Sequence, residues 1–261
     1  MVEGDTKQKT VGATERSIAI MEALKELNGA RIAELSEHLD ITKSSVHAHL
    51  VTLEKHEFVV KQGDEYRLGL RFLNVGEYVR NRNPVFQEAK PKVKELAQKT
   101  GEVASLIAED HGKGVFVFRR KGENITRPTT VGNQVDLHVT AGGKAILANL
   151  PKPTVDEILD RRGLPRYTPN TITDREVLED DLERIRKQGV AFNDQEDING
   201  LRAVGVPLEE TSGRTVGALS IYGPAHRLRG DLYREEIPDL LRESANDVQL
   251  QVAFKQQRSP V

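Results

Sequence analysis

The residues best able to do chemistry fall at a few places in the chain. Lys43-Ser44-Ser45 opens a run to Lys55 in which Val46, Leu50 and Leu53 recur four and three residues apart, a spacing that puts all three on one face of a helix. Ser44, Ser45, Ala48, Val51, Thr52 and Lys55 then lie opposite or to the sides, with His47 and His49 at the two borders. Small polar residues at a helix start approach phosphates and base edges closely, the helix's own positive end attracts phosphate, and Lys43 adds charge in the first turn. Thr140-Ala141-Gly142-Gly143 starts a second helix, whose free N–H groups suit a carboxylate or similar anion. Asp194, Glu196 and Asp197 precede a strand, while Ser220 and Tyr222, two apart on another strand, point to the same side.

Each place also has a plain structural reading. Lys43-Ser44-Ser45 is also an ordinary capped helix start. Thr140 serves equally as an N-cap, Gly142-Gly143 as a close contact between helix and sheet, the acidic residues as a solvated turn, and Ser220 as a common strand residue. Gly143-Lys144-Ala145 looks like a phosphate-binding loop but lacks its Ser or Thr after Lys, and His138 occupies the position of its earlier Gly. No His-Glu-x-x-His, Gly-x-Ser-x-Gly or Gly-x-Gly-x-x-Gly occurs. Of the histidines at 38, 47, 49, 56, 111, 138 and 226, only 47 and 49 are close in sequence. They stand roughly 200° apart around a helix and cannot share an ion. His111 and His138 could meet, though nothing in their spacing requires it. Cysteine is absent, which excludes disulfides, thiolate metal sites and cysteine nucleophiles. No catalytic residue, metal or cofactor is expected.

The elements that position these residues follow from the rest of the chain. Its 261 residues suggest two domains. With 38 basic against 40 acidic residues, any affinity for nucleic acid must come from local clusters. No apolar run reaches the ~18–20 residues of a membrane span. Met1 to Lys9 has no apolar stretch, so no secretory signal is expected and the protein is expected in the cytoplasm. Residues 1–13 read as a flexible arm in which Lys7 and Lys9, with Arg16 beyond it, could touch phosphates. A helix from Thr14 carries Ile18, Met21, Leu24 and Leu27 and stops at Asn28-Gly29. A shorter one carries Ile32, Leu35 and Leu39, Asp40-Ile41 turns, and Thr42 caps the helix already described. Phe58–Lys61 and Glu65–Leu68 read as strands joined by Gln62-Gly63-Asp64. This order is that of a winged helix-turn-helix, whose last helix can enter a major groove while Lys61 and Arg67 on the hairpin hold neighbouring phosphates. The same order fits a winged module that assembles with a partner and reads no DNA.

Leu70–Arg82 reads as a connecting helix ended by Asn83-Pro84. Beyond it the pattern is α+β. A helix spans Pro84–Lys99, and strands Val103–Ala108 and Val115–Arg119 flank a turn at Asp110–Gly114. A small-residue helix covers Ala141–Leu150, and capping boxes are expected at Thr154/Glu157 and Thr173/Glu176. The second continues through Leu178, Leu182 and Ile185 to Gly189. Strands follow at Val190–Phe192, Leu201–Val206 and Thr215–Tyr222, the last two joined through Ser212-Gly213. A closing helix, Asp231–Gln257, is interrupted early at Pro238.

In order along the chain, Ser17–Leu24, Ile32–His47, Leu53-Glu54, Tyr66–Gly69, Leu137–Ala145, Leu182–Ala191, Asp194–Asp197, Leu201–Pro207 and Leu219–Pro224 resemble the isocitrate-lyase-regulator (IclR) family of transcription factors. The likeness covers roughly residues 14–254. It implies an arm (1–13), a winged helix-turn-helix domain (14–69), a linker helix (70–83), a GAF-like α/β effector-binding domain (84–257) and a tail (258–261). It implies a homodimer or dimer of dimers on palindromic double-stranded DNA, with operator affinity set by a small metabolite. By match of position, the effector residues are Ala141, Gly142, Asp194, Ala203, Ser220 and Tyr222, with Thr140 beside them. Ala48 departs from the family, which often has Arg there, and this shifts readout to Ser44, Ser45, His47, His49 and Thr52. Ala203 stands where Cys is frequent and Tyr222 where a smaller Ser is, so the effector should differ from the small oxo-acids of some members, an organic or sugar acid being expected.

Overall fold

The computed structural model describes residues 10–123 and 130–258 and divides into two compact units, through Val79 and from Arg80 onward. The dividing line falls inside the connecting helix. Lys7 and Lys9 of the expected arm lie outside the described residues, as do the last three of the tail.

In the first unit, α1 (Gly12–Glu26), α2 (Ile32–Leu39) and α3 (Lys43–Lys55) precede a hairpin of β1 (Val59–Gln62) and β2 (Glu65–Leu68), then α4 (Arg71–Asn81). The first helix begins two residues before Thr14. Its buried stripe is Ile20, Ala23 and Leu24, while Ile18 and Leu27 are exposed. The expected row 18-21-24-27 fails because each three-residue step lags the helical period by about 60°, so its ends diverge by about 180°. The core joins Ile20, Leu24, Leu35, Val46, Leu50, Val59 and Tyr66. Gly63, at φ +63°, opens the two-residue turn between Gln62 and Glu65, the arrangement that suits strand twist in tight hairpins. Gly69 donates to Phe58 O at 2.8 Å, and a Cβ there would stand 2.3 Å from Glu57 O. Only glycine lets the chain leave the hairpin at that point.

The second unit holds α5 (Pro84–Thr100), β3 (Val103–Asp110), β4 (Lys113–Arg120), β5 (Gln134–Asp136), α6 (Ala141–Asn149), α7 (Lys152–Arg162), α8 (Arg175–Gln188), β6 (Ala191–Asp194), β7 (Leu201–Glu209), β8 (Thr215–Pro224) and α9 (Ile237–Arg258). Its strands pair antiparallel in the order β5-β4-β3-β8-β7-β6. One face of the sheet packs on α5 and α9 through Val93, Leu96, Leu106, Leu219, Leu241 and Val248. The other packs on α6, α7 and α8 through Ile107, Phe116, Ile146, Ile158, Leu178 and Ala218. With both faces covered, β3 is buried without a break from Val103 to Ala108.

Several sequence expectations are corrected here. The β3–β4 turn is only His111-Gly112, both at positive φ, so the strands run to Asp110 and from Lys113. Thr154 caps nothing, because α7 already starts at Lys152 behind Pro151. Asp174, not Thr173, caps α8: its carboxylate accepts from Val177 N at 3.1 Å, while Arg166 donates to the Thr173 hydroxyl. Pro238 sits in the first turn of α9, where a missing N–H costs little. The irregular stretch is the wide π-turn Leu232–Glu236 before it.

Candidate nucleic-acid interface and internal cavity

Thr42 starts α3 as expected, its hydroxyl accepting from Ser45 N at 3.3 Å. Burial of Val46, Leu50 and Leu53 fixes the helix's rotation. The opposite side presents Lys43, Ser44, His47, Ala48, Val51 and Thr52 as exposed residues, with Ser45 half-buried at its edge. The Thr52 hydroxyl donates to Ala48 O at 3.0 Å. His49 is engaged elsewhere: it is half-buried, and its Nδ1 lies 2.8 Å from Ser17 Oγ on α1. Arg67 is engaged too. Its guanidinium donates to Glu65 at 3.0 Å and its stem lies against Gly29, with the side chain still 42% exposed. Lys61 is exposed on the hairpin, its ammonium 5.6 Å from the centre of the Tyr66 ring.

In the second unit a cavity of about 220 Å³ lies where α6 starts against the sheet. Thr140, Ala141, Gly142, Ala203, Ser220 and Tyr222 all stand on its wall. Thr140 caps α6, accepting from Gly143 N at 3.0 Å, which leaves the N–H groups of Ala141 and Gly142 without helical acceptors. A Cβ on Gly142 would come 2.5 Å from Ile107 Cγ2, so glycine lets the helix start approach β3. The Ser220 hydroxyl lies 2.8 Å from that of Ser105, both buried. Asp194 is not part of the wall. It points its carboxylate at Arg202, at 2.8 and 3.1 Å, and Asp197 faces the cavity instead.

Sequence reasoning missed Arg119. Strict alternation along β4 would set Phe116 and Phe118 on one face and Arg119 on the other. The register changes within this pairing, however, with Leu106 opposite Phe118 and Ile107 opposite Phe116, leaving Val117 as a bulge. Phe116 and Phe118 therefore enter cores on opposite sides of the sheet, and Arg119 joins Phe116 in the cavity. Its guanidinium carbon lies 4.1 Å from the Phe116 ring centre and 5.2 Å from that of Tyr222, whose hydroxyl accepts from it. Burial pushes the Asp197 carboxyl above its usual range, against the pull of Arg119 and with the help of Asp136. Burial likewise raises the Tyr222 phenol, against Arg119.

Residues 77–250 match the sequence model of the bacterial transcriptional regulator IclR C-terminal domain, and residues 13–63 that of the IclR helix-turn-helix domain. The chain belongs to the IclR family. It is 30% identical over 241 residues to the probable HTH-type transcriptional regulator ArcR of Halobacterium salinarum, covering 90% of this chain and 92% of that one. The crystal structure of Thermotoga maritima IclR aligns at a TM-score of 0.76 and 32% identity, over 92% of this chain and 97% of that one. An IclR homolog from Microbacterium hydrocarbonoxydans, solved with 4-hydroxybenzoate, shares the fold at a TM-score of 0.81 and 20% identity, over 93% and 99% of the two chains. This IclR-family protein is a DNA-binding transcriptional regulator.

Behind the cavity, the IclR-family unit buries a charged node that the sequence offered only as a failed phosphate loop. Lys144, on α6, is 2% exposed and donates to Asp181 at 2.9 Å and to both oxygens of Glu196 at 2.8 and 2.9 Å. Burial pushes the Glu196 carboxyl up, against Lys144's pull. Thr168 and Thr171 donate to Gln195 O and Glu196 O, both at 2.7 Å, and so pin the loop that carries Asp197. His138 is buried and donates to Pro165 O at 3.1 Å, while His111 is exposed on its turn. Among the described residues no group of three or more His, Cys, Asp or Glu is placed to hold a metal, and no helix is long and apolar enough to cross a membrane.

Proposed function

We propose that this regulator reads a palindromic operator with the exposed side of α3 and binds its effector, an organic or sugar acid, in the cavity at the start of α6. The observation that carries the reading is the convergence of Thr140, Ala141, Gly142, Ala203, Ser220 and Tyr222, from the start of α6, β7 and β8, on one largely apolar cavity. On the DNA side the contacts are Lys43, Ser44, Ser45, His47, Ala48 and Thr52, with Lys61 of the hairpin on phosphate. His49 and Arg67 act by holding α3 and the hairpin in place. Two copies act together in the cytoplasm, since two half-sites about one DNA turn apart need two reading helices. Val75, Tyr78 and Val79, exposed at 43%, 71% and 47% on one side of α4, offer the apolar face that a second copy covers. The effector favours one spacing of the paired reading helices over another. On this reading the protein acts by binding, not by catalysis.

Genome-wide footprinting in the native cells tests this without assuming a ligand. Sharp palindromic peaks that survive competitor DNA and weaken steeply with salt are expected. Diffuse occupancy under every carbon source tried would overturn the reading in favour of an assembly module.

A further inference from the structure

We infer that the second unit carries a further DNA contact, a strip of cations along α5 and the end of β4 that holds phosphates of duplex beyond the half-sites. The inference rests on the reading of α3 as the DNA-reading helix and adds what else grips the polyanion. Much of a protein's affinity for DNA comes from the number of phosphates its cations neutralise. Among the contacts assigned to the winged unit, only Lys43 and Lys61 bring an exposed ammonium, since the Arg67 guanidinium is turned to Glu65. The remaining charge must come from another surface.

The two flanks of α5 differ in charge. Toward α9 the charges are matched: Lys92 pairs with Glu95 at 3.4 Å and Asp247 at 2.8 Å, and Glu88 with Lys255 at 2.6 Å. Toward β4 stand Lys90 and Lys94, one turn apart and exposed, with no acidic partner among the described residues. The Lys90 ammonium lies 5.8 Å from the centre of the Phe118 ring on β4, which fixes the side it takes. Ala97 and Gly101 continue the same row of α5, and the chain leaving β4 rests on them. A Cβ on Gly122 would stand 2.1 Å from Gly101 C and 2.6 Å from Ala97 O. Arg120 takes the side of Phe118, two residues before it, and Lys121 follows. Both are exposed and neither has an acidic partner among the described residues. Glu102 does not neutralise them, because it is buried and accepts two hydrogen bonds from Arg227. Like charges gathered on one surface repel, and an anion relieves them. From Lys90 to the level of Gly101 the helix rises about 16 Å, a length over which one DNA strand presents about five phosphates. Among the described residues no large apolar side chain of α5 or β4 is exposed, whereas a protein partner is held by an apolar or aromatic centre. The strip therefore suits a phosphate backbone and not a second copy.

Fluorescence anisotropy of the full-length protein on a labelled, mixed-sequence DNA duplex several turns long, repeated over a range of salt, tests this. The strip variant combines Lys90→Gln, Lys94→Gln, Arg120→Gln and Lys121→Gln. A control variant removes as many exposed cations elsewhere, by Lys187→Gln, Arg214→Gln, Arg229→Gln and Arg234→Gln. The slope of log affinity against log salt should become shallower in the strip variant by about 0.9 for each phosphate released, about 3 to 4 for each copy. The control variant should keep the parent's slope, and thermal melts would confirm that both variants fold. A strip variant with the parent's slope would overturn the inference, and a smaller assembly in sedimentation would then give the strip to a second copy. A control variant that loses as much slope would overturn it in favour of bulk charge. Ser45→Glu separates these failures from failure of the underlying reading. If Ser45→Glu binds the duplex like the parent, the reading of α3 itself is defeated. If Ser45→Glu weakens binding and the strip variant does not, only the role of the strip is defeated.

Discussion

The two units handle polar groups in opposite ways. The winged unit has a core of apolar residues and Tyr66, and its functional side chains lie outside that core, on the exposed side of a helix whose rotation Val46 and Leu50 fix. The second unit buries Glu102, Ser105, Asp136, His138, Lys144, Asp181, Asn193, Glu196 and Ser220, many of them beside or behind its cavity. A surface that reads a polyanion loses nothing by staying wet. A site that encloses a small molecule must desolvate the groups that recognise it, and those groups then need partners. Function and stability are therefore separable in the first unit and coupled in the second.

The sharpest way to break this contrast is Lys144→Met. It leaves Glu196 buried without its cation and Asp181 with only the exposed Arg184, and about 3–5 kcal/mol of stability should be lost in chemical denaturation. The pH dependence has a definite sign. The Glu196 carboxyl is raised in the folded state, so its ionised form costs stability, and that cost appears as pH rises through the carboxylate range. Removing Lys144 enlarges the cost, so the variant's deficit should be greatest near neutral pH and shrink as pH falls. A deficit that grows on acidification would contradict the node's role.

Next in size is Ser45→Glu, which sets a carboxylate at the start of the reading helix. Operator binding should be lost in a gel-shift assay while the melting temperature stays near the parent's. A retained footprint would remove α3 from the DNA interface. Ser220→Ala should do some of both. It deprives the buried Ser105 hydroxyl of its partner, at a cost of about 1 kcal/mol, and should weaken the effector response while basal DNA binding persists. An unchanged effector titration would take Ser220 out of the site. The smallest effect is expected from Lys61→Gln. It should weaken binding evenly across DNA sequences and reduce the slope of log affinity against log salt by about 1. A change confined to one operator sequence would show that Lys61 reads bases.

Within the winged unit, much of this was legible in the chain. The 46-50-53 spacing and the Thr42 cap located α3 and its exposed side, because a helix's buried stripe follows from local periodicity alone. The failures there were long-range. Nothing near His49 in sequence reveals its contact with Ser17, 32 residues away, and nothing near Arg67 reveals Gly29. In the second unit, strands and helices were placed to within a few residues, except that the short β5 was missed. Asp194 and Asp197 looked equivalent in sequence. Their roles diverge because Arg202, opposite Asp194 on β7, claims that carboxylate.

The sequence by itself determined the order of elements, the winged unit, the family and the segments that wall the cavity, because periodicity, caps and ordered motifs are local properties. Only the tertiary structure decided which charged groups meet. The bulge at Val117 turns Arg119 into the cavity against the alternation of its own strand, and the packing of α6 on α8 converts an apparent phosphate-loop lysine into the buried partner of Asp181 and Glu196. The physical reason is that side-chain direction along a strand depends on every register step before it, and a buried charge is set by partners from other segments. A linear pattern records neither.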